Sequence, residues 1–305
     1  MKTTLKLMAA GAVALAGGLA QADTGKLLLT GGVSTIDGAA GGGLTPWAVI
    51  GSNATAGEIG GTAHLTRVST KDYGLTAFGA AVGYKDMFEL SLARQDFNTG
   101  VTGATLGLPG LHLRQNILGA KYKVAGDAVL DSDTWMPQVA VGVEFKSLDS
   151  SGLDATLNAL GAKRSGVDVY ASATKLFLAQ GLLVNATLRA TKANQNGLLG
   201  FGATLGTPHD SYKLMPEFSV AYLVSKNIAV GAEYRRMPNN LQDAGAAAGL
   251  GNGLRAQAWK DIFIAWAPSK NLSVTLAYVD LGTIVPATTG NRKQTGAYLS
   301  AQLAF

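Results

Sequence analysis

The sequence contains no cysteine, which excludes a disulfide scaffold and any thiolate metal site. Charge is scarce as well. Only 15% of the residues are Asp, Glu, Lys or Arg, against 47% hydrophobic, a balance that suits neither a disordered chain nor an average cytosolic enzyme. The formal net charge of +5 includes Lys2 and Lys6 of an apparent leader. Without those two, 23 basic residues face 20 acidic ones, and no Lys/Arg cluster stands out, so a nucleic-acid footprint is not expected. Long apolar runs are missing too: beyond residue 22 none approaches the roughly eighteen residues of a membrane-spanning helix. A mean hydropathy of +0.19 without such a helix requires another place for the apolar surface.

What is present begins with an export signal. Lys2 and Lys6 supply a positive start, residues 7–19 an apolar stretch, and Ala20-Gln21-Ala22 the small residues that a signal peptidase accepts. Residues 1–22 are therefore expected to be removed, leaving 23–305 as one domain that begins at Asp23.

The mature chain reads in period two, the repeat of a strand with one apolar face. Val139, Val141, Val143 and Phe145 alternate with Gln138, Ala140, Gly142, Glu144 and Lys146; Phe218, Val220 and Tyr222 alternate with Glu217, Ser219 and Ala221. Such runs last about ten residues, the length a tilted strand needs to cross hydrocarbon. Tight turns at residues 85–86, 178–181, 224–227 and 268–271 alternate with long connections at 98–111, 147–166, 193–213, 238–257 and 282–293. Residues 124–135 are the exception, a long connection on the short side. Short turns on one rim and long loops on the other are the pattern of outer-membrane barrels, the short rim being periplasmic. Twelve strands follow Ala63. Residues 26–34 and 44–52 would make fourteen, giving a transmembrane antiparallel barrel of about fourteen strands. The alternative is twelve strands with the glycine-rich part, within residues 23–61, inside the lumen as a plug.

Aromatic placement orients the wall. Tyr84, Tyr122, Phe177, Tyr222, Trp266 and Phe305 end the strands that descend to the short turns, each in its strand's apolar register. Rings collected at one level read as an interfacial girdle. Lys175 shares the outward register of Phe177 and weakens that strand. Arg94, Arg114, Lys192, Arg236 and Lys260 occupy outward positions at the opposite rim, where they either snorkel or meet anionic lipid such as lipopolysaccharide. Glu89, Lys121, Glu144, Lys146, Arg189, Glu217, Glu233, Arg235 and Asp261 fall in the inward register. They line a water-filled passage or pair across a closed one. On this reading Val141 meets lipid and Gly142 the lumen.

No cofactor, metal or enzymatic activity is expected. Residues 38–45 nearly spell a phosphate loop, but Leu44 stands where a lysine must reach the phosphates. A glycine-rich turn or close backbone contact explains them better. His64, His112 and His209 are the three histidines, and no Gly-x-Ser-x-Gly elbow accompanies them. Asp127, Asp131 and Asp133 lack the glutamate and glycine of a calcium loop. Short helical patterns lie in two loops: Leu153, Leu157 and Leu160 after the caps Ser150 and Ser151, and residues 241–248.

The last strand alternates Ala297, Leu299, Ala301, Leu303 and Phe305 with Gly296, Tyr298, Ser300, Gln302 and Ala304. It resembles the closing strand that the bacterial barrel assembly machinery reads. The stretch KLLLTGGVSTIDGAAGGGLTPWAVIG, residues 26–51, resembles the N-terminal hallmark of a bacterial family of exported proteins with no assigned function. That resemblance implies an outer-membrane barrel and brings no catalytic or binding residues. More loosely, the chain is similar to porin-type barrels and to the long-chain fatty-acid transporters, whose N-terminus plugs the lumen. The expected function is a passive channel for small solutes in the outer membrane. The alternatives are a non-conducting structural or adhesion barrel and a lateral-opening carrier for apolar compounds.

Overall fold

The structure, a computed structural model, describes residues 26–129, 135–150 and 152–305. The leader with its cleavage site, Asp131, Asp133 and the cap Ser151 lie outside these residues. Twelve antiparallel strands close into one barrel. They are β3 (Ile59–Thr70), β4 (Gly74–Tyr84), β5 (Phe88–Asn98), β6 (His112–Ala125), β7 (Gln138–Asp149), β8 (Ser165–Phe177), β9 (Leu182–Thr191), β10 (Lys213–Ser225), β11 (Ile228–Arg235), β12 (Trp259–Ser269), β13 (Leu272–Asp280) and β14 (Thr295–Ala304). Each pairs with its chain neighbour, and β14 closes on β3, Gly296 opposite Thr70 and Ala304 opposite Thr62. The strands follow the alternation of their sequence, with an exception at Lys175 of β8: β7 buries Gln138, Ala140, Gly142, Glu144 and Lys146 and turns Val141 and Phe145 outward.

The count corrects the expectation of fourteen wall strands. Residues 26–34 and 44–52 are not in the wall; they run through the lumen. Only the two-residue strands β1 (Val33–Ser34) and β2 (Ala40–Gly41) form there, paired with each other as a small hairpin. The physical reason is burial. Every residue from 33 to 52 is buried, whereas a wall strand must present alternate residues to the outside. Glycine makes the fit possible. A Cβ on Gly42 would fall 2.4 Å from the Glu233 carboxylate, and Gly38 has φ +98° with Ala93 2.9 Å from where its Cβ would sit. The phosphate-loop look-alike is thus a close backbone contact.

Both ends of this plug lie at the short-turn rim. Lys26 Nζ is 2.6 Å from Asp86 in the β4–β5 turn, and its amide donates to the Asn53 carbonyl. Asn53 Nδ2 donates to the carbonyls of Lys270 and Ala304. Near that rim, Trp47 and Val49 of the plug pack with Leu176, Leu183, Ala221 and Phe263 of the wall. At the other end Ile36 and Leu44 join an apolar cluster with Leu113, Leu148, Leu198 and Trp259. The long loops cap that cluster with helices α1 (Gly100–Thr105), α2 (Asp154–Ala159), α3 (Leu241–Ala247) and α4 (Pro286–Thr289). The second and third coincide with the two helical patterns of the sequence, and Leu153, Leu157, Leu160 and Leu241 are buried.

Two irregularities shape the wall. The long connection at the short rim lies against β8: the Lys175 ammonium donates to the Met136 carbonyl and Trp135 packs edge-on against Phe177 at 5.9 Å. Lys175 is buried although its register is outward, which resolves the anomaly of that strand. At the other rim β8 and β9 part company above the Val169–Ala190 pair. Phe201 fills the gap, bridging to Lys163 on one side and Ala193 on the other.

Candidate functional site

All nine residues assigned inward by alternation are buried inside the barrel. The structure brings them together with two carboxylates that the alternation list lacked, Asp37 of the plug and Asp168 of β8. Around Arg189 on β9, the Nε atom lies 2.6 Å from Glu217 and Nη1 lies 2.6 Å from Glu144. Lys146 Nζ stands 3.0 Å from Asp168, 3.1 Å from Glu144 and 3.6 Å from Asp37. Arg235 Nη1 meets Asp37 at 2.8 Å, and its Nε is 3.3 Å from Glu217. The ions form one network spanning β7, β8, β9, β10, β11 and the plug.

Above the network a turn from the β9–β10 loop dips into the lumen. Gln195 and Asn196 adopt left-handed backbone conformations there, φ 46° and 62°, a strain that persists only where surroundings fix it. Asn196 is fixed on every side. Its Oδ1 accepts from Lys146 and Arg235, both at 2.7 Å, and its Nδ2 donates to Asp37 at 2.7 Å. Its carbonyl accepts from Gln115. Asn196 therefore joins the tip of an outer loop to the tip of the plug.

Elsewhere the wall charges are met by plug backbone. Glu89 accepts from the amides of Ala40 and Gly51, while Lys121 donates to the carbonyls of Ala40 and Val49. Glu233 accepts from the amides of Leu44 and Thr45, from the Thr45 hydroxyl and from Ser219. Arg235 also donates to the Leu44 carbonyl. Asp261 faces Glu233 across β11 and β12, and its Oδ1 has no hydrogen-bond partner. Of the two alternatives for the inward charges, pairing is the arrangement in this structure, with each other and with the plug. Gly142 is no vacant position either: a Cβ there would fall 2.2 Å from the Tyr170 ring.

The outward residues sit as their register required. Tyr84, Tyr122, Tyr222 and Trp266 are exposed, with Phe177 and Phe305 half-buried. At the other rim Arg236 and Lys260 are exposed and Arg94, Arg114 and Lys192 half-exposed. Arg114 pairs with Asp96 at 3.0 Å and Lys192 with Asp210 at 3.4 Å. The three histidines are dispersed: His64 is buried on β3 without a hydrogen-bond partner, His112 meets Asp96, and His209 meets Asp243 in the loops. Asp127 caps its own turn through the Val129 amide. Among the described residues no group of three or more His, Cys, Asp or Glu is placed to hold a metal ion.

Asp168 was legible, since Tyr170, Ser172 and Thr174 continue its register on β8. Asp37 and Asn196 were not, because neither lies in a segment with a period.

The fold is similar to that of solved outer-membrane barrels. The NanC porin aligns at a TM-score of 0.50 with 8% identity, over 80% of this chain and 100% of that one. The KdgM porin gives 0.49 with 9% identity over 80% and 99%. The COG4313 outer membrane channel from Pseudomonas putida F1 gives 0.47 with 12% identity over 83% and 96%. At these identities the likeness concerns the barrel alone. No curated protein matches the sequence. Residues 30–302 match the family described as "Protein of unknown function (DUF3034)", and the chain belongs to that family.

Proposed function

We propose that this protein is an outer-membrane channel for small polar solutes, closed at rest by its own residues 26–58, with the short turns facing the periplasm. The observation that carries the reading is the identity of the groups that satisfy the wall. Glu89 and Lys121, paired with each other at 3.1 Å, bond otherwise to plug backbone, Glu233 accepts from plug amides and the Thr45 hydroxyl as well as from Ser219, and Arg235 is shared between wall and plug. Such groups take water in place of peptide units once the plug moves. A barrel whose only task was rigidity would gain from an apolar filling, because a buried ion network is a weak source of stability. An intermittently wet wall needs these charges. The girdle of Tyr84, Tyr122, Tyr222 and Trp266 and the exposed Leu65, Leu90, Ile262 and Leu276 support the membrane placement.

Planar-bilayer recording tests the proposal. The wild-type protein is expected to stay closed for most of the record. A double variant, Asp37→Ala with Glu233→Gln, removes grips on both arms of the plug and is expected to open in discrete steps. If the folded variant is as silent as the wild type, the barrel is a non-conducting scaffold instead.

A further inference from the structure

A groove of about 960 Å³ crosses the outer surface of the wall from β4 to β8. Its floor is apolar. Leu92, Leu118, Phe145 and Val167 are consecutive cross-strand partners on β5, β6, β7 and β8, and all four line the groove. Two residues nearer the long loops the next outward row changes character: Arg94, Asn116, Ser147 and Ser165 are again consecutive partners. Lys163, Lys192, Asp210 and Tyr212 complete the lining on the β8–β9 side, beside the Phe201 wedge.

The charges are arranged at two ends. On β5 stands Arg94, with no carboxylate paired to it among the described residues. Three to four strand spacings away, about 14–19 Å at the usual separation of sheet strands, Lys163 before β8 and Lys192 after β9 share the single carboxylate of Asp210 at 2.7 and 3.4 Å. The Lys192 ammonium also lies 5.0 Å from the centre of the Tyr212 ring. Between the two cationic ends run polar, uncharged donors, Asn116 and Ser147.

We infer that this groove binds a diphosphorylated glycolipid of the outer leaflet, the chemistry of the lipid anchor of lipopolysaccharide. Acyl chains lie on the Leu92–Leu118–Phe145–Val167 floor. One phosphate meets Arg94 and the other meets Lys163 and Lys192, while the sugar backbone between them faces Asn116 and Ser147. A lipid with a single phosphate cannot reach both cationic ends. The inference rests on the wall being embedded in a membrane; heat-modifiable folding into vesicles reports that separately from the groove.

The test is native mass spectrometry of the full-length protein in detergent. The probes are diphosphoryl lipid A, monophosphoryl lipid A and phosphatidylglycerol. Wild type should bind the diphosphoryl form best. The double variant Lys163→Ala with Lys192→Ala should weaken that binding about tenfold, the size of one lost charge-assisted contact. Asp210→Asn should strengthen it, because both ammonium groups lose their internal partner. Arg236→Ala with Lys260→Ala, at the same rim outside the groove, should change nothing. Equal affinity for phosphatidylglycerol overturns the inference, as does unchanged binding by the lysine variant or an equal loss in the Arg236/Lys260 variant.

Discussion

On β7, Val141 and Phe145 are 42% and 51% exposed, while Glu144 and Lys146 on the same strand are 1% and 2% exposed. The outward pair has no polar neighbour to satisfy. The inward pair stands within ion-pair reach of Arg189, Asp168, Asp37 and each other. The wall is thus apolar where it is exposed and ionic where it is buried, the reverse of a water-soluble barrel. The difference teaches where stability is vulnerable. An outward residue fails by carrying charge into hydrocarbon, and an inward one fails by abandoning a partner.

The largest expected effect is inward. Arg189→Ala takes the nearer cation from both Glu144 and Glu217, leaving them only Lys146 and Arg235, and breaking a buried ionic arrangement in this way costs about 3–5 kcal/mol. Urea unfolding of the vesicle-inserted barrel should register that loss, and a change below about 1 kcal/mol would show that water already reaches these carboxylates. Next comes the outward face. Val143→Arg, deeper in the wall than Val141, which stands opposite the girdle residue Tyr122, should cost about 2–4 kcal/mol nearer the membrane midplane, read as a lower yield of heat-modifiable folded protein. Gly142→Ala, one residue along, should also destabilise, by about 1–3 kcal/mol, because the new methyl meets the Tyr170 ring. Tolerance at Gly142 would mean the filled lumen relaxes readily.

Two smaller effects sharpen the same contrast. Asn196→Ala removes the clasp between outer loop and plug; leaving its buried partners short of one bond costs about 1–3 kcal/mol and should raise the frequency of channel openings. An unchanged opening rate would separate loop from plug. The smallest effect lies outside the wall. The Lys163 ammonium donating to Asp210 holds that carboxyl below the usual carboxylate range, with burial opposing weakly. A lowered carboxyl in the folded state stabilises above its ordinary value of 3.8, and the benefit fades as pH falls through the lowered one. For so exposed a pair the change should stay within about 0.5 kcal/mol. An NMR titration of Asp210 with its midpoint at or above the ordinary value would remove the pair.

The wall was legible because period two leaves its mark on every strand: Phe218, Val220 and Tyr222 announce an outward face, and Glu217 an inward one. The nine residues in the inward register are all buried. The plug was not legible in the same way. From Val33 to Ser52 every side chain is buried, so no alternation distinguishes faces, and its glycines answer to approaching carboxylates such as Glu233 rather than to any local rule. Fourteen wall strands came from treating apolar content there as strand content. Asn196 was invisible for a related reason, since its role depends on a loop turning inward, which composition does not record.

The position of the plug's two ends has a topological consequence. Lys26 and Asn53 are hydrogen-bonded neighbours at one rim, so the segment between them enters and leaves by the same mouth and is nowhere threaded through the ring. No strand pairing of the wall involves that segment, so its withdrawal toward the short turns would leave the barrel closed on itself. At the seam the Phe305 carbonyl accepts from the Asn53 amide as well as from the Gly61 amide. Phe305 thus touches both the closure of the barrel and the exit of the plug, so seam and plug share one point of attachment at that rim.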